Sequence, residues 1–340
     1  MNTMKKKLAT TVLTGIVLLA GVQLGGGATV NAEDSSLPVL QTLSTQYDIS
    51  PNRVYYNVST RYIQIDGENA LKPNAIKDGR TYASGDSIAT AVAKANTQQP
   101  LTFVLIHGAW ADASFWNKTA DELRKAGHIV YTPEYAGHGT LYDPNVTHGQ
   151  IVTSVVDYIK SKKLTHIVLV GHNFGGTVIQ KVAEQIPDRI QRLVFFDAFV
   201  PLDGQSVVDQ APGLETAFGH LRESSGNNTI PLPFSLFRDS FVNTASLSLA
   251  KEIYQSAKPE PAGPLFEKLD LKTYYKLELP KSYLYLTSDT ALPQGPYGWN
   301  PTQASHLGQF RLITGEGDHM TTAFAAPKYL EEKLYEASRD

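Results

Sequence analysis

The sequence predicts an α/β fold: a mostly parallel, doubly wound sheet with an inserted helical lid. Three observations predict it. Short apolar runs without alternation recur between helical patterns, as parallel strands covered on both faces require. One of these runs, residues 166–170, leads into Gly171-His172-Asn173-Phe174-Gly175 and then a helical pattern, the signature of a sharp strand-to-helix elbow. Finally, the rhythm breaks between residues 202 and 278, where prolines at 212, 231, 233, 259, 261 and 264 separate short amphipathic pieces. That stretch holds Phe218, Leu221, Phe234, Leu236, Phe237, Phe241 and Leu265, too apolar to leave wet, so it reads as a folded insertion and not a linker.

The elements follow in order. Residues 1–32 read as an export signal: Lys5, Lys6 and Lys7, an apolar run from Leu8 to about Ala20, then Val30 and Ala32 before the expected cleavage point. The run is too short for a bilayer core of about 30 Å. An extracellular location is expected, with no membrane association after cleavage. Residues 33–99 form an N-terminal extension, with one or two strands between Arg53 and Ile65 and a helical stripe of Ile88, Ala91, Val92 and Ala95 behind Asp86 or Ser87. A core is expected over 100–201 and 279–340, with the lid over 202–278.

Within the core, 101–106 is a buried strand and 114–127 a helix ending at Gly127; 128–132 is a strand. Thr147 caps a helix that turns Ile151, Val152, Val155, Val156 and Ile159 inward. Strands at 166–170 and 190–196 flank a helix over 177–186 stopped by Pro187, and strands at 282–287 and 310–314 precede a closing helix.

Composition excludes several functions. With no cysteine there is no disulfide framework, cysteine nucleophile or thiolate metal site. The formal charge of −3 becomes more negative once the signal's three lysines are removed, which gives no reason to expect nucleic acid. Lys160, Lys162 and Lys163 read as a solvated helix end. The nine histidines show no metal-ligand spacing, and Gly171, Gly175 and Gly176 fit no dinucleotide or phosphate loop, so neither metal nor cofactor is expected.

Six motifs in order carry a resemblance. They are His107-Gly108-Ala109-Trp110 after a strand, the segment 126–139 ending Ala136-Gly137-His138-Gly139, the elbow, residues 192–206, residues 286–293 and residues 315–320. Together they resemble the α/β-hydrolase superfamily, its small-ester hydrolase and hydroxynitrile lyase-like branch, over about residues 100–338. The resemblance implies an α/β-hydrolase fold, an oxyanion hole from the backbone N–H groups of Ala109 and Phe174, Asp289 as the acid and His319 as the base, with Asp197 as runner-up acid. Trp110 and His172 are the candidate contacts to a small apolar ester-like substrate, although a tryptophan there is more often core packing and a histidine beside the elbow more often a structural hydrogen-bonding residue.

At the nucleophile's place stands Asn173. An amide has no removable proton of useful acidity, so the acyl-enzyme route to a carboxylic ester or lactone should be lost or severely impaired. Asparagine tolerates a positive φ, so the elbow itself should survive. The leading expectation is a serine-type hydrolase disabled at one side chain. The alternatives are a small-molecule binding protein on a hydrolase scaffold, or non-covalent His/Asp base catalysis of a lyase or dioxygenase kind.

Overall fold

The structure, a computed structural model, describes residues 100–339 and, before them, the backbone of four short strands. The export signal and the helical stripe at 88–95 lie outside the described residues. In the N-terminal segment β1 (Val54–Asn57) pairs antiparallel with β2 (Tyr62–Ile65), and β3 (Ala75–Lys77) with β4 (Arg80–Tyr82).

The core opens with β5 (Thr102–Ile106), α1 (Asn117–Lys125) and β6 (Ile129–Tyr131). There follow α2 (His148–Ser161), β7 (Ile167–His172), α3 (Gly175–Gln185) and β8 (Ile190–Phe196). The chain closes with β11 (Lys281–Leu286), β12 (Arg311–Gly315), a short helix over Thr321–Ala325 and a final helix over Pro327–Ala337. Six strands form one sheet in the order β12-β11-β8-β7-β5-β6, and every pair is parallel. All six residues of β7 are buried, which is why its sequence shows no alternation.

The direction of winding reverses at β5: the chain lays β6 on one side of it and returns to place β7 on the other. Right-handed crossovers then send α1 to one face and α2 and α3 to the other. Such a reversal opens a crevice beyond the carboxyl ends of the strands that flank it. His107–Trp110 follow β5 and Asn173 follows β7, so both mouths of that crevice carry expected site residues. Thr147 caps α2 as expected, in a reciprocal capping box with Gln150.

Residues 202–278 contribute α4 (Leu214–Ser225), α5 (Phe234–Phe241), α6 (Leu247–Ser256), α7 (Ala262–Phe266) and a ribbon of β9 (Thr229–Ile230) with β10 (Glu260–Pro261). Their apolar sides join the core: Phe237, Phe241, Ala250, Ile253 and Leu265 are buried.

The elbow demands glycine at close approach. A Cβ on Gly171 would lie 2.5 Å from the carbonyl oxygen of Gly175, and one on Gly176 would lie 2.3 Å from that of Phe199. Backbone cannot yield as a side-chain tip can. Gly171→Ala is therefore expected to cost about 1–3 kcal/mol or more. A urea melt in which the variant matches the parent would contradict this account of the turn.

Candidate active site

Asn173 sits at φ +54, the left-handed conformation the elbow requires. Its backbone is pinned on both sides: its N–H donates to Phe196 O at 3.2 Å, and its carbonyl accepts from Gly176 N (3.1 Å) and Phe199 N (3.1 Å). Asparagine is among the few residues with a Cβ that accept this geometry readily.

The side chain is fully engaged. Its Oδ1 accepts the backbone N–H of Phe174 at 2.6 Å and of Ala109 at 3.3 Å. Its Nδ2 lies 2.7 Å from His319 Nε2, and His319 Nδ1 lies 2.9 Å from Asp289 Oδ2. An amide NH₂ can only donate, so Nε2 is the bare nitrogen and the imidazole proton rests on Nδ1, donated to the carboxylate. Asn173, Asp289 and His319 are each at most 3% exposed.

Asp289 does two things at once. Its Oδ1 accepts from Ala291 N (2.7 Å) and Leu292 N (3.2 Å), closing the turn after β11, while Oδ2 faces the imidazole. The turn cap and the contact with the imidazole thus fall to different oxygens. Asp197, at the end of β8, is not the carboxyl that meets the imidazole: its Oδ1 accepts Leu286 N at 3.0 Å.

His319 is held from both neighbours. Asp318 accepts from Thr244 N (2.8 Å) and Oγ1 (2.7 Å), and Met320 N donates to Phe241 O at 2.9 Å. The Phe241 ring stacks on the imidazole at 5.1 Å. Thr244 and Phe241, both within residues 202–278, therefore hold the loop of the histidine and pack on its ring.

Two expectations need correction. His172 does not face the crevice: it is 1% exposed, stacks on Phe115 at 4.6 Å, and bonds through Nε2 to His319 O at 2.9 Å. Burial, with His319 adding to it, pushes its pKa well below the ordinary value, so it is a neutral donor bracing the loop and not a substrate contact. Trp110 is 5% exposed and acts as a strut: Nε1 donates to Ile230 O at 2.7 Å, and its ring packs on Phe218 and Phe241.

Sequence reasoning missed one pair. Glu260, on β10 of the insertion, lies 3.1 Å from His138 Nε2 and accepts Trp110 N at 2.8 Å. It thereby ties the insertion to the backbone beside Ala109. Both residues are buried. Burial disfavours the His138 cation, yet the Glu260 carboxylate and the Ala136 carbonyl outweigh it and raise the pKa. A raised folded value stabilises the fold fully below about pH 6.5, the unfolded value, and that stabilisation is lost as pH rises through the folded one. Glu260→Gln is expected to flatten this dependence of Tm between pH 6 and 9; parallel curves for parent and variant would refute the linkage.

Among the described residues, donor atoms of Asp197, Asp289 and His319 converge within 4.8 Å of one another. Of the two carboxyls, Asp289 is the one hydrogen-bonded to the imidazole, with Asp197 beside it.

This geometry defines a class, and sequence comparison agrees: the profile of the alpha/beta hydrolase family matches residues 103–337. The chain belongs to that family. A solved extracellular alpha/beta-hydrolase from a Paenibacillus species, described as sharing structural and functional homology with tobacco salicylic acid binding protein 2, is 66% identical. That likeness covers 71% of this chain and all of the solved one, with a TM-score of 0.70. The carbendazim hydrolyzing esterase of Nocardioides sp. is 43% identical over 113 residues, 32% of this chain and 47% of that protein. Putative methylesterase 15 of Arabidopsis thaliana is 26% identical over 84% of this chain, which spans 64% of it. This chain thus spans about half to two thirds of these two curated relatives. No helix among the described residues is long and apolar enough to cross a membrane.

Proposed function

We propose that this chain carries the machinery of a carboxylic-ester or lactone hydrolase in which the nucleophile's place is taken by a carboxamide that resembles a bound substrate. The observation behind this reading is the engagement of Asn173: its oxygen takes the two N–H groups that would receive an oxyanion, and its NH₂ takes the nitrogen of His319 that would receive a proton. In an active relative the Ala109 and Phe174 N–H groups stabilise the developing negative oxygen. His319 is the base and Asp289 fixes its tautomer. Here the base meets an N–H it cannot usefully deprotonate, so no acyl-enzyme forms.

The same contact argues against non-covalent base catalysis, because Nε2 is already accepting from Asn173. The Phe241 ring, stacked on the His319 imidazole, offers an apolar wall beside the base that suits a small apolar ester group. Residues 202–278 act as the lid over that wall. Export is supported by the N-terminal pattern and by the extracellular 66% identical relative.

The test is a side-by-side assay of the parent chain and Asn173→Ser on a short-chain aryl ester. Turnover confined to the serine variant is the expected result. Turnover by the parent at a rate comparable to the serine variant's would defeat the reading.

A further inference from the structure

Asp197 is a buried carboxyl that the proposed chemistry leaves unused. It ends β8 at 0% exposure and at φ +40, a conformation that aspartate and asparagine tolerate better than most residues. Oδ1 accepts Leu286 N at 3.0 Å, whereas Oδ2, also inaccessible to water, has no hydrogen-bond partner. Beside it stands Asp289, whose Oδ1 holds two backbone N–H groups and whose Oδ2 holds His319.

An ionised Asp197 would be a second anion in the same dry pocket, stabilised by one hydrogen bond. Like charges so placed cannot both persist. A neutral carboxyl has an O–H to spend, and the Asp289 carboxyl shares its cluster, donor atoms of Asp197, Asp289 and His319 lying within 4.8 Å of one another. We infer that Asp197 is a positioning residue that keeps its proton on Oδ2 and aims the O–H dipole at Asp289, so that the two carboxyls carry one negative charge behind His319. Burial first, then the charges of Asp289 and Asp318, push the Asp197 pKa well above the carboxylate range. The other titratable groups facing it are Tyr283 and Tyr285 on β11, neither of which is cationic, and His319. The proton needs no catalytic assumption; the positioning role rests on His319 and Asp289 being the acid–base pair.

Three measurements test this. Infrared spectroscopy of the parent chain at neutral pH should show a protonated-carboxyl stretch that Asp197→Asn removes. Folding then takes up a proton at Asp197 that the unfolded chain, ionised above about pH 4, does not hold. The asparagine variant is spared this cost and keeps a donor toward Asp289, so its Tm advantage should grow by roughly 3–5 °C per pH unit above pH 4. A Tm difference that is flat with pH, together with no lost infrared band, would overturn the protonated carboxyl. In the Asn173→Ser background, Asp197→Gly, which accepts the positive φ, should lower kcat with little change in KM, and Asp197→Asn should restore it. Equal kcat in all three would overturn the positioning role. An Asn173→Ser variant with no turnover at all would instead sink the hydrolase reading, and the infrared and Tm results would still decide the proton.

Discussion

Asn173→Ser is expected to raise turnover of a short-chain aryl ester by about a millionfold over the parent chain. The size comes from serine-protease mutagenesis, where removing the nucleophile costs on the order of 10⁶ in kcat while binding and the oxyanion hole retain about 10³ over water. The groups that the proposed reaction calls on lie around residue 173. His319 Nε2 stands 2.7 Å from the terminal atom of residue 173, and its proton rests on the nitrogen facing Asp289. Serine also withdraws the carbonyl that now fills the space beneath the Ala109 and Phe174 N–H groups, so one substitution both supplies a nucleophile and opens the oxyanion position. The elbow keeps its φ of +54, which serine accepts at modest cost because the backbone there is held by three hydrogen bonds. A folded serine variant that hydrolyses no ester faster than the parent, across short and medium acyl chains, would sink the proposal.

His319→Ala in that serine variant should return kcat to the parent's level, again a loss of about 10⁶, because nucleophile and base act as a unit and removing either costs about as much as removing both. Asp289→Asn should cost about 10⁴, since an amide at that place favours the wrong imidazole tautomer. Stopped-flow or steady-state kcat on one ester measures all three. A serine variant that keeps most of its rate without the imidazole would show that another group takes the proton. In the parent chain His319→Ala should change no ester turnover, and a loss there would revive non-covalent base catalysis.

Much of the fold was legible because parallel strands and amphipathic helices carry their burial in their local pattern. The run 166–170 and the elbow after it announced β7 and α3, and Thr147 announced the start of α2. His172 was harder to place, since a histidine beside an elbow has the same sequence signature whether it meets ligand or braces a loop. Its bond to His319 O spans 147 positions and has no local trace. The buried Glu260–His138 pair spans 122 positions and was invisible for the same reason.

Sequence by itself determined the type of chain, the parallel sheet, the order of residue 173, Asp289 and His319, and the chemical fact that the residue at the tip of the elbow is an amide. Those properties reside in side-chain type and local periodicity, which folding does not alter. The tertiary structure decided which carboxyl meets the imidazole: Asp197 and Asp289 follow neighbouring strands, and Asp289, turned over Ala291 and Leu292, sets its Oδ2 2.9 Å from His319 Nδ1. It also decided where the Asn173 amide points. Its two ends are fixed by the N–H groups of Ala109 and of the adjacent Phe174 and by the His319 imidazole; the contacts to Ala109 and His319 span 64 and 146 positions and exist only once the strands stand side by side.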